Sequence, residues 1–185
     1  MKTRRITFVL AAALAFLGVQ TVKADGGNTS TQGAEDKVTL NIILKPIQTL
    51  VVNPTQKTVD IVYENPEDYS EGVTVEKEEH LTLYSTGGFA VQVKSSTDLL
   101  EANSQSIDAS SIMIAATAAD IADYEQNYVE LSTTAQELMS STSGVVNGKV
   151  DVLYSGKGSN AYLNKQQGYT QTVFTTEVTY TIIAQ

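Results

Sequence analysis

The sequence predicts an all-β fold: an immunoglobulin-like antiparallel β-sandwich of about 8–10 strands with at most one short helix. Three observations predict it. Short runs rich in Val, Ile, Thr and Tyr alternate apolar with polar residues, the period of a strand with one buried face. Breaks containing Gly, Pro or Asn separate these runs. Only one stretch, residues 115–128, has the alanine content that favours helix.

The chain opens on Met1-Lys2-Thr3-Arg4-Arg5, a positive flank, and an apolar run follows to about residue 19. Val22-Lys23-Ala24 then precedes Asp25. These are the parts of a secretory signal peptide over residues 1–24, with cleavage expected after Ala24. The competing reading is a membrane anchor. An apolar core of about 14 residues falls short of the roughly 18–20 that span a bilayer. Residues 25–36 contain almost nothing apolar and are expected to form a flexible leader. One β-sandwich domain is expected over 37–185.

Within that domain, Val38, Leu40, Ile42 and Leu44 alternate with Thr39, Asn41, Ile43 and Lys45, which predicts a first strand; Pro46 marks a bend or an edge. Residues 47–52 make a second run, ended by Asn53-Pro54, and residues 58–63 a third, stopped at Glu64-Asn65-Pro66. Residues 72–75 lead into the charged stretch Glu76-Lys77-Glu78-Glu79, and Leu81 and Leu83 begin another strand. Gly87-Gly88 reads as a hairpin turn or bulge before Phe89, Val91 and Val93, the clearest amphipathic strand in the chain. Short strands follow around Ile112 and Ile114 and around Val129 and Leu131, with a polar stretch containing Leu138 and Met139 after them. Residues 115–128 between these are expected to be a short surface helix or an ordered loop. Asn147-Gly148 reads as a turn before a strand carrying Val150, Val152 and Tyr154 on one face. After a loop at Gly156-Lys157-Gly158-Ser159-Asn160, the last strand sets Val178, Tyr180 and Ile182 on one face. A strand so apolar is expected at the centre of its sheet, because an exposed edge of that kind invites aggregation.

Composition narrows the function. Without residues 1–24 the chain keeps eight lysines and no arginine against 21 acids, a formal charge of −13. That balance opposes nucleic acid and anionic lipid, both of which are held through Lys and Arg contacts to phosphate. It suits solubility at a cell surface. No cysteine occurs, so neither a disulfide nor a lipid-modified cysteine is possible, and a chain of about 161 residues can bury enough core without a staple.

Catalytic chemistry is poorly supplied. His80 is the lone histidine; it could serve as a metal ligand or general base, or be a surface or strand-end residue, and the latter reading is preferred. No Gly-x-Ser-x-Gly motif occurs, and Gly156-Lys157-Gly158-Ser159 lacks phosphate-loop spacing. Glu64, Glu67 and Asp68, and Glu76, Glu78 and Glu79, could gather calcium, but without calcium-loop spacing they read as solvated charge. Paired carboxylates could hydrolyse glycosides, yet the chain has no Trp as a sugar platform. No enzyme activity, cofactor or metal is expected. Nine tyrosines outnumber four phenylalanines. Tyr124, Tyr128, Tyr162 and Tyr169, in or beside loops, could form a binding face; otherwise they pack along the sheets.

Two stretches carry a resemblance. Residues 81–94, Leu-Thr-Leu-Tyr-Ser-Thr-Gly-Gly-Phe-Ala-Val-Gln-Val-Lys, and the close of the chain, Tyr169-Thr-Gln-Thr-Val and Val178-Thr-Tyr-Thr-Ile-Ile-Ala-Gln185, resemble a group of secreted β-sandwich proteins of Bacteroidota. They are more distantly similar to fimbrial subunits, spore-coat-U-like proteins and WxL-type surface domains. The chain departs from these in having no Trp and no disulfide. The resemblance implies a β-sandwich in the cell envelope.

The expected function is that of an exported, non-enzymatic structural or adhesive subunit, fimbrial-like, at the cell surface, in the periplasm or outside the cell. The alternative is a binding module for glycan or calcium. Expected partners are further copies of the chain or other envelope proteins. If strands are exchanged between copies, residues 38–44 or the last strand would have to serve, since residues 25–36 do not alternate.

Overall fold

The computed structural model describes residues 35–185, so the expected signal peptide and almost all of the expected leader lie outside the described residues. In chain order the strands are β1 (Gln48–Val52), β2 (Gly72–Ser85), β3 (Phe89–Ser95), β4 (Leu99–Ala102), β5 (Gln105–Asp108), β6 (Ile112–Thr117), β7 (Tyr124–Gln126), β8 (Tyr128–Glu130), β9 (Gln136–Ser141), β10 (Val145–Lys157) and β11 (Val178–Ala184). One α-helix, α1 (Pro66–Glu71), and a 3₁₀ turn at Ala109–Ser111 complete the elements.

Sheet A has the order β1-β2-β10-β6-β8 and sheet B the order β11-β3-β9-β7; β4 and β5 pair as a hairpin. All of these pairings are antiparallel. The core lies between the two sheets. Leu81 and Leu83 of β2, Val150 and Val152 of β10 and Ile114 of β6 meet Phe89, Val91 and Val93 of β3 and Leu138 and Met139 of β9, all fully buried. Alternation drives this: side chains two apart share a face, so each strand buries one row. The fold is thus an all-β sandwich, with one short helix.

Several local expectations change. Residues 115–128 hold no helix: Ala115 and Ala116 are buried in β6, where their size suits the sheet interior, and β7 begins at Tyr124. Packing overrides alanine's helical preference. The helix stands instead at residues 66–71. Asn65 caps it, accepting from the Asp68 amide while the Asp68 carboxylate accepts from the Asn65 amide, with Pro66 in the first turn. Gly87-Gly88 is no hairpin turn, since β2 and β3 lie in different sheets; it carries the chain from one sheet to the other. Asn147-Gly148 is not a turn either. It is an irregularity inside β10, with Asn147 at φ 58°.

The first expected strand does not form. Residues 35–46 join no ladder, and Val38, Leu40, Ile42, Ile43 and Leu44 are 79–93% exposed. The run at 58–63 is extended but unladdered; Val59 and Ile61 pack on the core and Tyr63 donates to the Lys157 carbonyl at 3.0 Å. Gly156 makes room for it, because a Cβ there would collide with the Tyr63 hydroxyl. The last strand is not central. Among the described residues β11 pairs with β3 alone and is an edge of sheet B.

Candidate functional site

Each sheet has two edges, and they meet in pairs. On one side β7 passes directly into β8 through Asn127, whose amide donates to the Leu138 carbonyl at 2.9 Å. The chain itself joins sheet B to sheet A there. On the other side β1 and β11 lie beside each other, and no covalent turn joins them.

This second side is an open seam. Leu50 and Val52 of β1 face the core, as do Val178, Tyr180 and Ile182 of β11, yet all five are only half-buried. Their neighbours one strand inward, Leu83 and Val91, are fully buried. The seam is therefore lined by two apolar rows that lack cover. β11 also has a hydrogen-bonding edge that no described residue uses. The Glu177 amide donates to Ser96 Oγ and its carbonyl accepts from the Ser96 amide at 2.9 Å, while the Gln185 amide donates to the Gly88 carbonyl at 3.0 Å. Odd-numbered residues thus turn their main-chain groups toward β3. In an antiparallel ladder the groups of Val178, Tyr180, Ile182 and Ala184 then point away from it.

A buried polar chain braces the seam from within. Opposite Asp151 of β10, three residues of β2 (Glu78, Glu79 and His80) stand where a regular ladder has one. Glu79 takes the left-handed conformation, φ 46°, and its amide donates to the Asp151 carboxylate at 2.6 Å. The bulge turns His80 into the body, where it is 2% exposed. A turn after β1, with the Gln56 amide on the Asn53 carbonyl at 3.0 Å, brings Gln56 to it.

The hydrogens in this chain can be assigned. Gln56 Nε2 donates to the Glu78 carbonyl at 3.0 Å, so Oε1 is the atom that faces His80 Nδ1 at 2.9 Å and accepts from it. Nε2 of His80 is then the acceptor for the Tyr154 hydroxyl at 2.9 Å. The Tyr154 oxygen accepts in turn from the Tyr180 hydroxyl. The chain runs from the edge strand of sheet B across to β10, β2 and the turn after β1. Burial pushes the Tyr154 hydroxyl up to about 12 and the Tyr180 hydroxyl well above the tyrosine range. Burial, and then the Lys77 ammonium, lower the pKa of His80, which stays neutral at pH 7. His80 is therefore neither a surface nor a strand-end residue. Its position was hidden because only the bulge aims it inward.

The four tyrosines considered as a binding face are dispersed. Tyr124 is half-buried on β7 in sheet B and packs on the core, whereas Tyr128 is exposed on β8 in sheet A. Tyr162 is half-buried edge-on against Tyr63, ring centroids 5.0 Å apart, and shares a 2.8 Å hydrogen bond with Ser111 Oγ. Tyr169 is fully exposed in the loop before β11. Of the acidic groups, Asp68 is engaged in the cap of α1, and Glu76, Glu78 and Glu79 lie along β2. Among the described residues no three His, Asp or Glu side chains converge on one point. No helix among the described residues is long and apolar enough to cross a membrane.

Comparison with protein-family models gives no match, and no curated protein matches the chain.

Proposed function

We propose that the chain is an exported, non-enzymatic structural subunit of a cell-envelope assembly, built by adding a strand of one copy to the next. Residues 37–45 are the added strand and the outer edge of β11 accepts it. The single observation that carries this reading is the segment's combination of an alternating apolar row, broken only by Ile43, and exposure. Val38, Leu40, Ile42 and Leu44 are spaced for one face of a strand, but 81–93% of each is in contact with solvent.

Its physical complement is the open seam. A strand laid beside β11 would pair with the outward amides and carbonyls and set its apolar row over the half-buried Val178, Tyr180 and Ile182. Burying those four side chains of the added strand contributes roughly 1.5–3 kcal/mol each. With main-chain hydrogen bonds that is enough to offset the association cost of about 4–15 kcal/mol. The acidity of the chain fits an exposed location, and the amino-terminal segment fits export.

The test is the size of the protein starting at Asp25, measured by light scattering against concentration, with and without a synthetic peptide of residues 36–46. Concentration-dependent growth that excess peptide stops supports the reading. A strict monomer at all concentrations, with no peptide binding, ends it.

A further inference from the structure

The polar chain reaches the accepting strand through one residue, Tyr180, and passes through one imidazole, His80, whose Nε2 is an acceptor that can take a proton. We propose that the Gln56–His80–Tyr154–Tyr180 chain is an acid-sensitive latch, holding β11 against sheet A at neutral pH and loosening it for strand addition below that. The latch rests on the assembly reading for its purpose; its mechanism does not.

The mechanism follows from the direction of the hydrogens. Nε2 of neutral His80 accepts from Tyr154. A proton added there turns the acceptor into a donor. The Tyr154 hydrogen must then swing to the Tyr180 oxygen, and the Tyr180 hydrogen loses its acceptor. Among the described residues the imidazolium also has no counter-charge beside it. From β2 its charged neighbour is Lys77, which repels it. From β10 it meets the neutral Tyr154, and from β11 the neutral Tyr180. Asp151 is held by the Glu79 amide, and the Glu79 carboxylate pairs with Lys149 at 3.5 Å. A buried cation without a partner is strongly disfavoured. Relief comes by parting the chain at its weakest anchored member, β11, which has one neighbouring strand where β2 and β10 have two.

The experiment is amide exchange on the chain from Asp25 onward, below its assembly concentration, at pH 7.5 and 5.5, corrected for intrinsic rates. The amides of Thr181 and Ile183, whose main-chain groups face β3, are compared with that of Leu131, which donates to the Ile112 carbonyl at 2.9 Å, and the association rate of the 36–46 peptide is measured alongside. The expected result is that protection in β11 falls by up to about tenfold per pH unit below 6.5. Leu131, which opens only with the whole fold, should stay the better protected at both pH values, with exchange that rises steeply with urea where that of β11 does not, and the peptide should associate faster at pH 5.5. His80→Gln should remove both pH dependences; Tyr180→Phe should leave β11 weakly protected at both pH values. A His80 ring that titrates at or above 6.5 in the wild-type protein, read by NMR, overturns the latch, as does β11 protection that is constant with pH or that shares the urea dependence of Leu131. Acid loosening of β11 with a peptide that never binds upholds the latch and defeats the assembly reading. Peptide binding that ignores pH, with β11 unmoved, does the reverse.

Discussion

The two sides of the sandwich are built from similar edge strands and differ in how they are shut. At the β7–β8 side the chain crosses between the sheets through Asn127, and the residues behind it, Val129 and Leu131, are buried. At the β1–β11 side the inward rows remain half-exposed, and the sheets are bridged by hydrogen bonds between side chains. A covalent crossing cannot open without unfolding. A seam held by side chains can open, and it leaves an edge that another strand can use. Exposed apolar edges are ordinarily guarded by charge, proline or a bulge. β11, Val-Thr-Tyr-Thr-Ile-Ile-Ala, contains neither charge nor proline, and its register with β3 is unbroken.

The largest expected effect is on the open side. Deleting residues 177–185 strips the cover from β3 and removes the last member of the polar chain. It should abolish the cooperative thermal transition seen by circular dichroism, because a domain holds only about 5–15 kcal/mol in all. A truncated chain that melts like the full-length protein would show that the seam contributes nothing to the core.

A matched pair of substitutions sharpens the contrast. Leu131→Ala, at a site 1% exposed on the closed side, should cost about 2–5 kcal/mol in urea unfolding. Ile182→Ala, half-buried on the open side, should cost about 1–2 kcal/mol in the free protein. With saturating 36–46 peptide the second cost should rise toward the first, since the added strand completes the burial. Equal costs in the free protein would mean that the two sides are equally closed.

The pH profile gives a smaller effect. His80 has its folded pKa below the ordinary 6.5, so the unfolded chain binds more protons. Stability is therefore full above 6.5 and falls as the pH drops through that value. The slope from this group is at most about 1.4 kcal/mol per pH unit, ending at the folded pKa. Chemical unfolding at pH 5.5, 6.5 and 7.5 checks it, with Leu131→Ala expected to leave the slope unchanged.

What was legible in the sequence was the periodic part. The rows at Leu81 and Leu83, at Phe89, Val91 and Val93, at Val150 and Val152, and at Val178, Tyr180 and Ile182 all face inward as their spacing predicts. Pairing partners were not legible, because period-two alternation says which side chains share a face and nothing about which strand lies alongside. That is why the last strand was expected at a sheet centre and stands at an edge. The bulge that buries His80 needs Glu79 in a left-handed conformation that glutamate rarely adopts, so no residue there announces it. The helix at 66–71 had a signal in Asn65-Pro66-Glu67-Asp68, a cap, a first-turn proline and two acids, which reads equally well as a turn.

The smallest effect on stability falls on the segment that most directly tests the difference between the two sides. Ile42 is 81% exposed and in no ladder, so Ile42→Asp should change the melting of the free protein by no more than about 0.5 kcal/mol. Placed in the seam of a neighbouring copy, the same carboxylate would stand unpaired beside Tyr180 and Ile182, at a cost of several kcal/mol. Assembly measured by light scattering should therefore be lost while the fold is kept. Thr39→Asp, on the opposite face of the same segment, would leave its charge in solvent and should assemble like wild type. Equal loss with both substitutions would point to a contact without the strand's two-residue period, and equal tolerance would remove residues 37–45 from the assembly. A separation of the two variants, with melting unchanged in both, is the outcome that only a strand buried on one face produces.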